Sequence, residues 1–202
     1  MINPLSRETD PGIRAAARLM KQRDPEPQHA LQVYATSMSL FDVLKDIHAL
    51  GDPERRILAA AALVHDTGFS VGISRHHKHS RDIVLHASLE GFSPDERRMI
   101  ACLARYHRCA HPAPSHKVYR SLRRQDREVV NRLAAILRIG DGLDRCHDAT
   151  VDKVRAERKG RSLRIYVCQY RPSPGDLQGA ARKQGLFEEV FGLRLEILPD
   201  EH

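Results

Sequence analysis

The change in hydrophobic rhythm at Thr150 constrains this chain more than any other feature. Before it, apolar residues recur at helical spacing almost without interruption; after it, they alternate. Ile13, Ala16, Ala17 and Met20 set a first helical run within residues 10–23, which Pro25 and Pro27 stop. The pattern resumes from Gln28 to Leu50 through Leu31, Val33, Tyr34, Met38, Phe41, Val43, Leu44 and Ile47, predicting one long amphipathic helix. Gly51-Asp52-Pro53-Glu54 reads as a stop followed by a start, with Asp52 as N-cap and Pro53 in the first helical position. The almost wholly apolar run Ile57 to Val64 predicts a buried helix ending at Gly68. A loop is expected over 69–76 and a helix from His79 to Leu89. Ser93, Pro94 and Glu96 form a capping box opening a helix to about Tyr106. A Pro- and His-bearing loop covers 109–117, residues 118–124 are ambiguous, and Asp126 to Cys146 is a strong helix.

Past Thr150, residues 151–157 alternate as a strand does, Gly160 sits in a turn, and Leu163, Ile165 and Val167 mark a second strand. A Pro/Gly loop at 171–175 leads to a helix from about Asp176 to Phe191 and a closing strand from Leu193 to Leu198. The expected fold is therefore mainly α: a helical body over 1–150 with a small α+β (β-β-α-β) subdomain over 151–202.

Composition narrows the partners. Lys plus Arg number 33 and Asp plus Glu 26, a formal charge of +7 in 202 residues. Such a balance points to an anionic partner without choosing among phosphate esters, nucleic acid and a membrane surface. No run of about 18 apolar residues exists, so a membrane span is not expected. Few aromatics and no Trp argue against a base-stacking reader of single strands, so nucleic acid is compatible but not indicated. Cys102, Cys109, Cys146 and Cys168 form no C-x-x-C pair, and the N-terminus is polar, so a cytoplasmic protein with free thiols is expected. The tail strands have edges that need covering, which leaves a homodimer possible.

Twelve histidines are the outlier, crowded between His65 and His116. His65-Asp66 ends the buried apolar helix, where a carboxylate is costly unless compensated, and a divalent metal would compensate it. Asp141 lies among Ile136, Leu137 and Ile139, flanked by Gly140 and Gly142, whose small size permits close approach of other elements. His29 opens the second helix. A histidine, a His-Asp pair and a distant aspartate on helices can converge on one mixed N/O metal site, suited to Mn, Fe, Ni, Zn or Mg. The ordinary alternatives are a capping pair at His65-Asp66 and an arginine partner, Arg138 or Arg145, for Asp141.

The order H…HD…D resembles the HD phosphohydrolase superfamily. More closely, residues 28–198 resemble the C-terminal HD-like portion of the exopolyphosphatase/guanosine pentaphosphate phosphatase family. The stretches carrying this are AALVHDTG at 60–68, HHKHS at 76–80, GFSPDE at 91–96, ARYHR at 104–108, LAAILRIGDGLDRCH at 133–147 and GLFEEVFG at 185–192. The resemblance implies that His29, His65, Asp66 and Asp141 bind a metal. It also implies that His79 and His107 fall where two-metal members add ligands, so one or two metals are expected; His76 and His77 are the less favoured ligands. The two actin-like domains that hold that family's polyphosphate and nucleotide chemistry have no counterpart in 202 residues, and no Gly-rich phosphate loop occurs.

Two functions follow as expectations. One is a metal-dependent phosphohydrolase that cleaves a phosphate ester or anhydride of a nucleotide-like or polyphosphate anion by metal-activated water. In it Asp66 binds metal and orients water, and His79 or His107 is the acid or electrostatic stabiliser. Lys78, Arg108 and Arg145 would grip the substrate. The other is a non-catalytic module that binds polyphosphate or another polyanion.

Overall fold

The computed structural model describes residues 4–6, 8–169 and 173–200. Its helical body is built from α1 (Pro11–Arg23), α2 (Pro27–Val43), α3 (Lys45–His48), α4 (Asp52–Val64), α5 (His76–His86), α6 (Pro94–Tyr106), α7 (Lys117–Arg120) and α8 (Arg124–Gly142). The tail follows as β1 (Val151–Lys159), β2 (Ser162–Gln169), α9 (Pro174–Ala181), α10 (Gly185–Phe191) and β3 (Arg194–Pro199). The mainly-α body with a small α+β appendage is thus present. β1 and β2 pair antiparallel, while β3 lies parallel to β2, because α9 and α10 carry the chain back across the sheet before the last strand. No helix among the described residues is long and apolar enough to cross a membrane.

Local chemistry explains most boundaries. Asp10 caps α1, accepting from the amides of Gly12 and Ile13 at 2.8 and 2.9 Å. Ser93 and Glu96 close the capping box at the start of α6: the Ser93 amide donates to Glu96 at 2.7 Å and the Glu96 amide to Ser93 at 3.3 Å. Several helical expectations need correction: α4 ends at Val64 rather than Gly68, and α8 runs from Arg124 to Gly142 rather than from Asp126 to Cys146. The long second helix ends at Val43, and α3 is a separate short turn, stopped at Ala49 in the left-handed region (φ 50°). The N-cap of α4 is Gly51 rather than Asp52; the Glu54 carboxylate reaches back to its amide at 2.8 Å. The expected 176–191 helix breaks at 182–184 into α9 and α10. The α5 helix also begins at His76, three residues before the sequence pattern suggests.

One continuous apolar core joins the helices to the sheet. Ala60, Ala61, Leu63, Leu133, Ile136 and Leu137 are wholly buried within it, and Val154, Leu163 and Ile165 extend it onto the inner face of the sheet. The small residues of α8 set its spacing. A Cβ on Gly142 would stand 2.6 Å from Cα of Ala180, and one on Gly140 would stand 2.5 Å from the Ser37 hydroxyl. Helix α8 is thereby held against α2 on one side and α9 on the other, with Asp141 between those two contacts.

Candidate metal centre

Five helix ends and one turn meet around Asp66. His65 is the residue after α4 and His107 the residue after α6. His76 opens α5, His29 lies in the first turn of α2, and Asp141 is in the last turn of α8. A short 3-10 turn, Thr67–Ser70, follows Asp66. Gly68 in that turn lies so close to α5 that a Cβ would stand 2.1 Å from the His76 carbonyl oxygen, and its amide donates to the Ser80 hydroxyl at 2.9 Å. That close approach brings His76 beside Asp66.

Asp66 faces two groups with its two oxygens. Oδ2 lies 3.4 Å from His65 Nε2 and 3.8 Å from His29 Nε2. Oδ1 lies 3.3 Å from His76 Nε2 and 3.5 Å from His107 Nε2, yet it is buried and makes no hydrogen bond among the described residues. Asp141 Oδ1 completes the first group, 3.4 Å from His29 Nε2 and 3.9 Å from His65 Nε2. All six side chains are buried.

The outer nitrogens are already engaged. Nδ1 of His65, His76 and His107 donates to the carbonyls of Ala62 at 2.8 Å, Ile73 at 3.1 Å and Ala104 at 2.8 Å. Nδ1 of His29 donates to Asp144 Oδ2 at 2.7 Å. A carbonyl oxygen only accepts, so the proton of each neutral ring resides on Nδ1 and the lone pair of Nε2 is directed into the site. This is the arrangement that orients histidine ligands. Two ligands that share an ion at about 2.1 Å lie roughly 3.0–3.4 Å apart, and most of the inter-ligand distances here fall near that range. The donor set therefore fits one or two divalent ions. One ion would be held by His29, His65, Asp66 and Asp141, the other by Asp66, His76 and His107, and the unpartnered Asp66 Oδ1 is the atom the second would satisfy.

Charge is divided unevenly across the site. Burial disfavours the imidazolium of His29, but hydrogen bonds to Asp141 and Asp144 and the charges of Asp141 and Asp66 outweigh burial and raise its pKa to about 10. His65 is raised in the same way: burial opposes the shift, and the Asp66 carboxylate beside it prevails. Burial dominates at His107, which is lowered to about 3. Asp66 and Asp141 are both held well below the usual carboxylate value: burial works against them, and the surrounding imidazoles and Lys183 overcome it.

Of the sequence-derived set, His29, His65, Asp66, Asp141 and His107 come together. His79 does not. The buried stripe of α5 is His76, His77, Ser80 and Val84; His79 falls beside it, half-buried, and does not line the cavity over the cluster. His76, ranked below it from sequence, stands beside Asp66 because α5 starts three residues early. Arg108 and Arg145 line the cavity of about 300 Å³ over the centre, and Lys78 does not. Asp141 pairs with Lys183 rather than with Arg138 or Arg145. The Arg138 guanidinium instead donates to the carbonyl of Tyr106 at 3.0 Å.

Sequence reasoning missed Asp144, His147, Arg182 and Lys183. Asp144 had a signal, since it stands one helical turn after Asp141. His147, whose ring stacks on His29 at 3.9 Å, and Lys183, 42 residues from its partner Asp141, had none. Residues 13–171 match the family model described as Ppx/GppA phosphatase, domain III.

Proposed function

The chain belongs to the Ppx/GppA phosphatase domain III family, and from that premise we propose that it is an HD-type metal-dependent phosphohydrolase acting on a phosphate ester or anhydride of a nucleotide-like or polyphosphate anion. The observation that carries this reading is the convergence of four imidazole Nε2 atoms on Asp66 under a cationic cavity wall. When bound, a divalent ion supplies Lewis-acid polarisation of a phosphoryl oxygen and acidifies a water.

The chain's own residues do the rest. His29, His65, Asp66 and Asp141 would hold one ion, and His76 and His107 with Asp66 would hold a second. Arg108, Arg145, Arg182 and Lys183 line the open side, where guanidinium forks match phosphate oxygens. The Arg108 guanidinium already reaches His76 Nε2 at 3.3 Å, so a phosphate at the mouth of the site lies within its range. Lys183, paired with Asp141, is the cation set to neutralise charge on a leaving oxygen.

Elemental analysis of the protein prepared without chelator or added metal tests this, run beside Asp66→Ala. One or two equivalents of Mn, Fe, Ni or Zn, lost in the variant, are expected. A metal-free protein is retested for thermal stabilisation by Mg and Mn. Phosphate release from nucleotides and polyphosphate, abolished by chelator, completes the reading. Absence of metal and of stabilisation overturns it.

The same cationic wall and the +7 charge favour a second reading, a non-catalytic polyphosphate-binding module. Salt-sensitive polyphosphate binding with no metal-dependent turnover would select it.

A further inference from the structure

A second cavity, of about 550 Å³, opens between α5, α6 and α7 and shares no lining residue with the metal centre. Arg105 and His107 are two residues apart at the end of α6, roughly 200° around the helix, so the two cavities lie on opposite sides of that turn.

Its walls combine two chemistries. Leu85, Val118 and Tyr119 supply an apolar floor, and the Tyr119 ring is fixed by its hydroxyl, which donates to Asn131 at 2.8 Å. Arg81, Arg98, Arg105 and Lys117 supply the charge. Asp82 pairs with Arg81, and Asp95 is shared between Arg98 and Arg123. Five cations, Arg123 included, therefore stand against two carboxylates.

Arg105 is half-buried, and its guanidinium carbon lies 5.8 Å from the centroid of the Tyr106 ring. The Arg105 Nε and Nη1 are buried with no hydrogen-bond partner, and no carboxylate pairs with Arg105 among the described residues. Buried N–H groups left without an acceptor are costly. A ligand oxyanion beside the guanidinium would offset that cost, since an arginine fork, Nε with Nη2 or the two Nη atoms, matches two oxygens of one phosphate. His116, on the rim, is held below its ordinary pKa by burial and by the charges of Arg105, Lys78 and Arg81, which reports the positive field there.

We propose that the cavity between α5, α6 and α7 is a second ligand site, taking a small phosphate ester whose body is planar or apolar, with the phosphate on Arg105 and Lys117 and the body on Leu85, Val118 and Tyr119. The site is independent of metal and of the phosphohydrolase reading.

Phenylphosphonate is a suitable probe because it is not hydrolysed. It is titrated into the full chain in the presence of chelator, followed by calorimetry and by amide chemical shifts. Binding is expected, with the Val118 and Tyr119 amides moving. Arg105→Met is expected to weaken binding at least tenfold and the exposed-lysine variant Lys117→Ala about threefold. Asp66→Ala and Arg145→Ala are expected to leave it unchanged. A melting temperature of Arg105→Met at or above wild type separates loss of binding from loss of fold. Inorganic phosphate and benzyl alcohol should each bind at least tenfold more weakly, since each keeps half of the ligand. No binding by wild type, binding insensitive to Arg105→Met, or shifts confined to residues around His107 would overturn the proposal.

Discussion

His65 and His107 end two helices in the same way and carry opposite charge tendencies. Each follows the last residue of its helix, each is wholly or nearly wholly buried, and each donates Nδ1–H at 2.8 Å to the carbonyl three residues back. Yet His65 is raised and His107 is lowered to about 3. Local geometry is the same, so the difference comes from neighbours. Oδ2 of Asp66 and Oδ1 of Asp141 both face His65, whereas His107 meets Asp66 through an oxygen it shares with His76. Asp66 and Asp141 act on both rings, but His65 also hydrogen-bonds Asp66, whereas burial prevails at His107 with His65 and Lys183 adding to it; the helix end sets the direction of each ring, and its contacts set its charge. On the proposed reading, the half with two carboxylates would hold an ion more tightly than the imidazole-rich half.

The strongest way to break that comparison is to remove the bridge. Asp66→Ala is expected to strip metal from both halves and lower turnover by about a thousandfold or more, read by elemental analysis and phosphate release. If metal survives in one half, the two halves do not share Asp66. Next come the paired variants His65→Ala and His107→Ala. The first should reduce bound metal to less than half an equivalent. The second should leave close to one equivalent, with turnover still lost if two ions are needed. Equal losses would erase the asymmetry.

Asp144 sharpens it from outside. It holds His29 Nδ1, and its other oxygen accepts from the Ala149 amide at 2.8 Å. Asp144→Asn should weaken metal binding about 10–100-fold, in the His29 half alone. In chelator, pH separates the halves by sign. The His29 pKa is raised from 6.5 to about 10, so its contribution to stability is complete below 6.5 and fades as pH rises towards 10. The His107 pKa is lowered to about 3, so its contribution is present above 6.5 and is lost as pH falls towards 3, by up to about 1.4 kcal/mol per unit. His29→Gln should flatten the alkaline arm of a melting-temperature profile and His107→Gln the acid arm. The smallest expected effect is that of His79→Gln: metal content and turnover within about twofold of wild type, because that side chain does not line the cavity over the cluster.

Much of this was legible in the chain itself. The switch from helical spacing to alternation at Thr150 reports a body and a sheet, because a buried stripe must follow the period of its backbone. The His65-Asp66 pair after an apolar run, and Asp141 between two glycines, report a buried polar centre, because a core excludes carboxylates that nothing compensates. Other features depended on contacts between distant segments. His76 rather than His79 faces Asp66 because Gly68 lets the 3-10 turn meet the first residues of α5, a fit that periodicity does not encode. Lys183 reaches Asp141 only because the tail helix breaks at 182–184 and α9 packs on Gly142. The residue types of the centre and the periods of its helices are written locally, in propensity and burial pattern. Which histidine, which lysine and how many carboxylates meet at one point is decided by packing between distant segments, such as His29 and Asp144, 115 residues apart.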